Sequence, residues 1–337
     1  MPEQLAFVSV VFEAELWFQR LQARSMALYL SPDLVGEIVV IDNSVDGLDP
    51  GWVAALVKDY GPHAPLVRVL RPDDIVAIPA ATGWRSQQVL KLCVAEQLST
   101  RHYVVLDAKN HLVLPVDGDF FVAADGRPRV NTYGFADHPL RSSLERALTY
   151  VGLDPAGYVG RFTATVTPFV LDTAMVRSMI RAVEERAGRP FAAEFVAQGL
   201  TEFFLYTAWL LAQGSTIDEL VDDHQVFCPT VWPRAANPDG VRAAIASVHD
   251  RRAPFFSVQR NALAALDRAG IELLAALWVE RGLFASTEQV LREVEEFQVE
   301  YARQSRRQRV RELPHRLRGA VRRLGRSVPR PGGGRRS

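Results

Sequence analysis

Four short apolar segments recur in the first third of the chain, separated by stretches with helical patterning. They lie at residues 5–12, 37–42, 66–70 and 103–107. Runs of β-branched residues without alternation are typical of strands buried on both faces, as in a parallel sheet. Between them, Asp49 and Pro50 predict the start of one helix, and residues 84–98 are rich in helix-forming residues. This alternation predicts βαβ crossovers and therefore an α/β fold whose mostly parallel sheet is flanked by helices.

The rest of the chain has a different pattern. Further strands are predicted at residues 128–135, 161–168 and 224–232, and helices at residues 172–187 and 192–212. From Gly240 onward the pattern is helical, and Ser286 to Gln289 fit a capping box. We therefore predict an α/β domain over residues 1–235, a helical C-terminal region over 236–312 and a basic tail over 313–337.

Composition excludes several classes of protein. Hydrophobic residues make up 48% of the chain and charged residues 23%, as in soluble globular proteins and unlike disordered or collagen-like chains. Cys93 and Cys228 match no spacing of zinc ligands. No apolar run approaches the roughly 20 residues of a transmembrane helix, and the first residues lack the basic segment of a secretory signal. We expect a cytoplasmic protein.

The net charge of zero conceals an asymmetry. Residues 302–337 contain thirteen Arg and one Glu, so this segment carries +12 and the rest of the chain −12. After Pro314, apolar residues recur at steps of three and four, with arginines over the remaining circumference. The pattern predicts an amphipathic helix lying peripherally on an anionic membrane, at the inner face of the plasma membrane. The alternative is a disordered tail without a partner. No nucleic acid is expected, because no aromatic residues are interleaved for stacking.

The segment after the first strand disfavours the phosphate-binding loops that need glycine. Folds of that kind place glycines where the backbone approaches the ligand. Here residues 12–15 read Phe-Glu-Ala-Glu, and no glycine occurs before Gly36. A dinucleotide-binding Rossmann site, a P-loop and the glycine-rich loop of sugar nucleotidyltransferases are therefore disfavoured.

Two aspartates lie at the ends of predicted strands. Asp42 ends the second strand and Asp107 the fourth. Because ligands bind at the carboxyl ends of the strands in open α/β sheets, we expect both carboxylates in one crevice. Either aspartate alone is equally well explained as a turn or cap residue.

In these segments the chain resembles glycosyltransferases of the GT-A type, and more narrowly a poorly characterised bacterial family with that nucleotide-sugar-binding, Rossmann-like fold. The resemblance spans roughly residues 5–210. The segments that carry it are the first strand, residues 41–44 (IDNS), 83–92 (GWRSQQVLKL), 106–110 (LDAKN), 167–169 (TPF) and 201–206 (TEFFLY).

The resemblance implies that Asp42 and Asn43 contact the base or ribose of a nucleotide sugar, and that Asp107 lies near its diphosphate and metal. The Asp-x-Asp motif of the family would begin at Asp107, but its third position is Lys109. A protonated lysine cannot ligate a cation, and Asn110 offers only a weak neutral oxygen. Either Mg²⁺ or Mn²⁺ is held mainly by Asp107 and a later residue, or the reaction needs no metal. His249 is a conceivable later ligand, but beside Asp250 and Arg251 a solvated histidine is the favoured interpretation.

Other candidates come from helical spacing. Arg85, Gln88 and Lys91, at steps of three, share one face of the predicted helix and, with Lys109, can offset the charge of a diphosphate. The alternative for this face is simple solvation. Glu202 is the candidate base for an inverting transfer, because its apolar neighbours would raise its pKa.

Glu202 fits equally well into an ordinary polar stripe with Glu194 and Gln198. Asp222 and Asp223 are the second choice for the base. The sequence thus predicts a glycosyltransferase of the hexosyltransferase type, transferring a sugar from a nucleoside diphosphate donor to a saccharide or lipid-linked acceptor, as in polysaccharide biosynthesis. The alternatives are a non-catalytic nucleotide- or sugar-binding protein and a membrane-docked interaction protein with the same fold.

Overall fold

A computed structural model describes residues 3–79, 83–223 and 228–324, with side chains described up to residue 306. The strands of the described chain are β1 (Leu5–Val11), β2 (Val35–Asp42), β3 (Val67–Leu70), β4 (His102–Asp107), β5 (Asn110–Leu112), β6 (Thr132–Tyr133), β7 (Phe162–Thr163), β8 (Phe169–Asp172), β9 (Thr230–Val231) and β10 (Phe255–Val258). The helices are α1 (Leu16–Tyr29), α2 (Pro50–Asp59), α3 (Gly83–Cys93), α4 (Arg141–Val151), α5 (Thr173–Ala187), α6 (Phe191–Gln198), α7 (Glu202–Ala212), α8 (Ile217–Leu220), α9 (Pro238–Arg251), α10 (Arg260–Ala265), α11 (Arg268–Glu280) and α12 (Thr287–Leu324).

The main sheet has the strand order β3-β2-β1-β4-β8. Its first four strands are parallel, and β8 joins antiparallel to β4. Alternate residues of β1 enter two different apolar clusters: Ala6, Val8 and Val10 pack on one face, and Leu5 and Phe7 on the other. The predicted mixed α/β fold, with a mostly parallel sheet covered on both faces, is therefore confirmed.

Two small sheets extend this core. In the first, β10 pairs antiparallel with β5 and parallel with β9, so a strand beyond residue 235 joins two strands from before it. In the second, β6 pairs with β7. The helices α9 to α12 supply the largely helical C-terminal region.

The long apolar segment after residue 190 differs from its prediction. Instead of one helix it forms α6 and α7, which are bent by 103°. Gly199 has a φ of +64°, a left-handed conformation that ends α6 and favours glycine. The bend places Glu202 in the first turn of α7 rather than in the middle of a helix.

Other boundaries also differ from the sequence pattern. The strands predicted at 128–135 and 161–168 shorten to the two-residue strands β6 and β7, and residues 224–227 of another lie outside the described chain. The backbone of α12 continues through Pro314, where a new helix was expected to begin. An interior proline removes one hydrogen bond, whereas a break would leave several backbone groups unpaired.

No single described helix is long and apolar enough to cross a membrane. The bent pair α6 and α7 reaches that length and apolar composition only when the two helices are taken together. Most residues of α7 are buried in the core.

Candidate active site

The carboxyl ends of β1, β2 and β4 border a cavity of about 670 Å³, here called the strand-end cavity. Glu13 and Glu15 follow β1, Asn43 follows β2, Asp107 ends β4 and Lys109 lies in the turn after it; all five line the cavity. Because β1 lies between β2 and β4, the strand order reverses at this point. A reversal of this kind opens the crevice in which α/β sheets bind ligands.

At the cavity floor, Asp107 lies between two lysines. Lys91 Nζ, from α3, is 2.9 Å from Asp107 Oδ1 and 3.6 Å from Glu202 Oε1. The ammonium of Lys109 contacts the other oxygen of Asp107. The side chains of Lys91 and Glu202 are 9% and 8% exposed, so this contact is almost fully buried. We call these four residues the lysine–carboxylate cluster.

The charges of the cluster shift each other's pKa values. Burial acts to raise the pKa of Asp107, but Lys109 and Lys91 outweigh it and hold that pKa well below its usual value. Burial acts to lower the pKa of Lys91, but Asp107 and Glu202 outweigh it and raise that pKa. Burial raises the pKa of Glu202, and Lys91 offsets only part of this effect. Lys91 therefore stays cationic near neutral pH, and Asp107 stays ionised beside it.

The cluster does not fit a divalent cation. Both carboxylate oxygens of Asp107 already contact an ammonium group, and a cation would have to displace both contacts. The described residues contain no group of three or more His, Cys, Asp or Glu placed to hold a metal ion. His249, the later ligand considered above, is exposed on α9 and does not line this cavity.

Sequence reasoning missed the pair formed by Glu15 and Arg260. The two side chains are 3.3 Å apart, and both line the strand-end cavity. Burial raises the pKa of Glu15 to about 7, and Arg260 counteracts this only in part. A carboxyl group with this pKa can exchange a proton near neutral pH. The guanidinium of Arg260 also lies 4.8 Å from the ring centre of Phe12.

Of the three residues predicted to share one face of α3, two line the cavity and one does not. Gln88 and Lys91 line the cavity, whereas the guanidinium of Arg85 donates to the carbonyl of Leu200 at 2.7 Å and does not line it. Gln88 is buried, and within the described chain neither its amide nitrogen nor its amide oxygen has a hydrogen-bond partner. A buried amide without partners is costly unless a ligand or water satisfies it.

Asp42 is buried and does not line the strand-end cavity. Its carboxylate accepts hydrogen bonds from the backbone N–H groups of Ser44 and Leu48 and from Arg71. Burial opposes these bonds, but together they lower its pKa. Asn43, next in sequence, does line the cavity and donates to Ser86 at 3.2 Å. The carboxylate thus holds the turn that presents Asn43.

Asn110 stabilises the end of β4. Its side-chain oxygen accepts from the backbone N–H of Asp107 at 2.7 Å, and its amide nitrogen donates to Ser257 at 2.9 Å. Gln22 of α1, which the sequence did not single out, donates to the carbonyls of Asp107 and Asn110. These bonds fix the turn on which Lys109 lies.

The second-choice carboxylates lie elsewhere. Asp222 pairs with Arg129, and Asp223 pairs with Arg161 and accepts from Thr132. Neither lines the strand-end cavity.

Three solved structures of glycosyltransferases are similar to the chain. The galactosyltransferase LgtC, in complex with donor and acceptor sugar analogs, is 12% identical with a TM-score of 0.45, over 82% of this chain and 100% of that one. The bifunctional glycosyltransferase WbbM, in its apo form, is 11% identical with a TM-score of 0.45, over 84% of this chain and 51% of that one. The apo glycosyltransferase GlyE of Streptococcus pneumoniae is 9% identical with a TM-score of 0.43, over 86% of this chain and 62% of that one. At this level of similarity a shared activity does not follow.

No protein with a curated description matches the sequence. One family model matches residues 21–240, well over half of the chain and including Asp42, Lys91, Asp107 and Glu202. The chain therefore belongs to DUF6492, a family of unknown function.

Proposed function

We propose that this protein transfers a sugar from a nucleoside diphosphate donor bound in the strand-end cavity. The observation that carries the proposal is the pair of ammonium groups, Lys91 and Lys109, held on Asp107 at the carboxyl end of β4, where the strand order reverses. Fixed cations at the carboxyl ends of parallel strands are suited to a diphosphate, whose charge grows as the bond to the sugar breaks. The two lysines would thus provide, without a metal, the positive charge that a divalent cation would otherwise provide.

The size and rim of the cavity agree with this donor. A volume of about 670 Å³ falls within the usual range of small-molecule sites. Trp84 also lines the cavity and is 56% exposed. The guanidinium of Arg85 lies over one face of its ring, 5.5 Å from the centre, and the other face is assigned to stacking on the nucleobase. Asn43 lies in the same cavity and offers amide hydrogen bonds to the nucleoside.

Two carboxylates that line the strand-end cavity, Glu202 and Glu15, are candidates for the group that accepts the proton. Glu202 is buried against Lys91, as described above, whereas the side chain of Glu15 is 24% exposed and its pKa is raised to about 7. For proton transfer from an acceptor hydroxyl, Glu15 fits better, because the group must reach the substrate and exchange its proton.

A thermal-shift screen tests the donor site. Nucleoside diphosphates and their sugars should raise the melting temperature, because a ligand that binds only the folded state stabilises it by mass action. Nucleotide-sugar binding should also be tighter at pH 6 than at pH 8, since protonation of Glu15 removes a negative charge from the cavity. Glu15→Gln should weaken this pH dependence. If no nucleotide shifts the melting temperature at either pH, the proposal is wrong.

The alternative is a protein that binds the donor without transferring its sugar. Release of nucleoside diphosphate from the donor that gives the largest shift separates the two functions. An enzyme should release it at a rate that depends on Lys109. Binding without any release, with or without added acceptor sugars, would support the non-catalytic alternative.

We also propose that the basic tail attaches the protein to anionic membranes. Each arginine near such a surface adds roughly 1 kcal/mol of attraction. The full chain should therefore sediment with vesicles of anionic lipid at low salt, and a chain ending at Gln304 should stay in solution. Neutral vesicles are the control. Equal sedimentation of both chains would contradict the role assigned to the tail.

A further inference from the structure

Beside the strand-end cavity lies a second cavity of about 530 Å³, here called the side cavity. The two share one wall, formed by Asp107, Lys109, Thr165, Thr167 and Trp232. The remaining walls of the side cavity come mainly from Cys228, Pro229 and Thr230 and from α9. A molecule in the side cavity would therefore meet a donor in the strand-end cavity at this shared wall.

The charge of the side cavity is balanced internally. Asp107 and Lys109 are its only charged lining residues within the described chain, and they contact each other. Lys91 and Arg260, the other cations of the site, line only the strand-end cavity. Lys109 is assigned above to the diphosphate of the donor. With the donor bound, an anionic ligand in the side cavity would face Asp107 and that diphosphate with no described cation left to pair with it, which is unfavourable.

The uncharged part of the lining is suited to a polyhydroxylated ring. The hydroxyls of Thr230 and Ser247 donate to the carbonyls of Cys228 and Ala243, so their oxygens remain available as acceptors. Trp232 is 51% exposed at the shared wall, and its indole offers a flat apolar face. Flat apolar faces beside a few hydroxyl groups match a sugar ring, which has apolar C–H faces and polar edges.

We propose that the side cavity binds an uncharged saccharide as the acceptor and selects against acceptors that carry phosphate close to the reacting sugar. This inference rests on the proposed function and narrows its acceptor, for which the sequence left saccharides and lipid-linked molecules open. The acceptor hydroxyl would approach the donor across the shared wall, and Trp232 would set the orientation of the ring.

Matched acceptors that differ only in charge test the selectivity. Turnover of the donor should increase above its rate of hydrolysis with glucose, galactose, mannose, N-acetylglucosamine, cellobiose or lactose. The 6-phosphates of the same monosaccharides should be poorer acceptors by at least about tenfold, because like charges brought together across an interface cost several kcal/mol. Phosphorylated sugars that perform as well as the neutral ones would overturn the proposal.

A substitution on α9 tests the location. Ala244 lines only the side cavity, and Ala244→Phe should fill part of it. The stimulation by saccharide should be lost, while donor hydrolysis and the thermal shift with donor stay unchanged. Ala246→Phe is the matched control, because Ala246 is exposed on the same helix and lines neither cavity. Unaltered stimulation in Ala244→Phe would also overturn the proposal.

Binding of the saccharide alone separates this inference from the donor hypothesis. Saturation-transfer NMR with the neutral sugars, without any nucleotide, should show binding to the full chain and to Ala246→Phe but not to Ala244→Phe. Saccharide binding without any nucleotide binding would refute the donor site and leave the side cavity supported. Nucleotide binding without binding of any of these saccharides would support the donor site and refute the saccharide site in the side cavity.

Discussion

Replacing Lys91 by methionine should lower the free energy of unfolding by about 3–5 kcal/mol near pH 7, the usual cost of removing one partner from a buried ion pair. Lys91 Nζ is the described cation closest to Glu202, whose side chain is only 8% exposed. Methionine fills a similar volume but leaves that carboxylate buried without its counter-ion. Denaturant unfolding of the variant and the parent protein measures the loss.

The loss should shrink as the pH falls. Burial raises the pKa of Glu202, so a charged Glu202 destabilises the fold above that pKa, and its protonation removes the penalty in the variant. In the parent protein the pKa of Asp107 is lowered despite burial, by Lys109 and Lys91, so the stability that this pairing gives is lost as acid protonates Asp107. Both effects reduce the difference in free energy of unfolding between the variant and the parent protein at low pH.

Two further variants test the cause of the loss. Adding Glu202→Gln to Lys91→Met should restore part of the stability, because it removes the unpaired charge. Lys58→Met, at an exposed position of α2, should change the stability by less than about 0.5 kcal/mol. A loss below about 1 kcal/mol for Lys91→Met, or no recovery in the double variant, would show that the cluster is not an energetically coupled unit.

The sequence predicted the parallel strands because their signal is local. Each of β1 to β4 is a short apolar run, and runs of this type need two covered faces wherever they lie in a fold. The pairing of Lys91 with Asp107 could be anticipated only in part. Strand ends and helical spacing bring both residues near the crevice, but which group contacts which depends on the packing of α3 against the sheet.

Contacts between distant parts of the chain left no local signal. Glu15 and Arg260 are 245 positions apart, and each looks like an ordinary surface residue in its own segment. Gln22 likewise reaches the turn after β4 across 85 positions. In contrast, the break between α6 and α7 had a visible sign, since Gly199 stands inside an otherwise helical pattern.

Asp42 illustrates a different limit. Its position at a strand end was predicted correctly, yet a strand-end aspartate can face a ligand or hold a turn with equal ease. The donors that decide between the two come from Ser44, Leu48 and Arg71, and the guanidinium of Arg71 reaches the carboxylate across 29 positions. The position of an aspartate at the carboxyl end of a strand therefore predicts that it lies near the ligand crevice. Only the hydrogen bonds that it makes show whether it contacts a ligand or stabilises a turn.

Lys109→Ala should lower kcat of the proposed sugar transfer by about 10²–10³-fold, the range found when one group that stabilises charge in the transition state is removed. In the free protein Lys109 contacts Asp107, and an ammonium group has three N–H donors, so one can stay on Asp107 while others reach a phosphate oxygen. Its side chain is 20% exposed, against 9% for Lys91, which leaves Lys109 the more accessible of the two. The effect should lie mainly in kcat, since the charge on the leaving diphosphate grows during the reaction.

The same assay in the presence of a chelator tests whether lysines perform the role of a metal. Activity of the unaltered protein should survive EDTA, because Lys91 and Lys109 contact both oxygens of Asp107 and, in the proposed reaction, offset the charge of the diphosphate. Lys109→Arg should retain more activity than Lys109→Ala, since it keeps the charge but changes the geometry of the donors. Lys58→Ala is the control for loss of a lysine elsewhere. Complete loss of activity with EDTA and its return with Mn²⁺ would mean that a cation displaces the ammonium groups from Asp107, and the assignment of Lys109 would then be wrong.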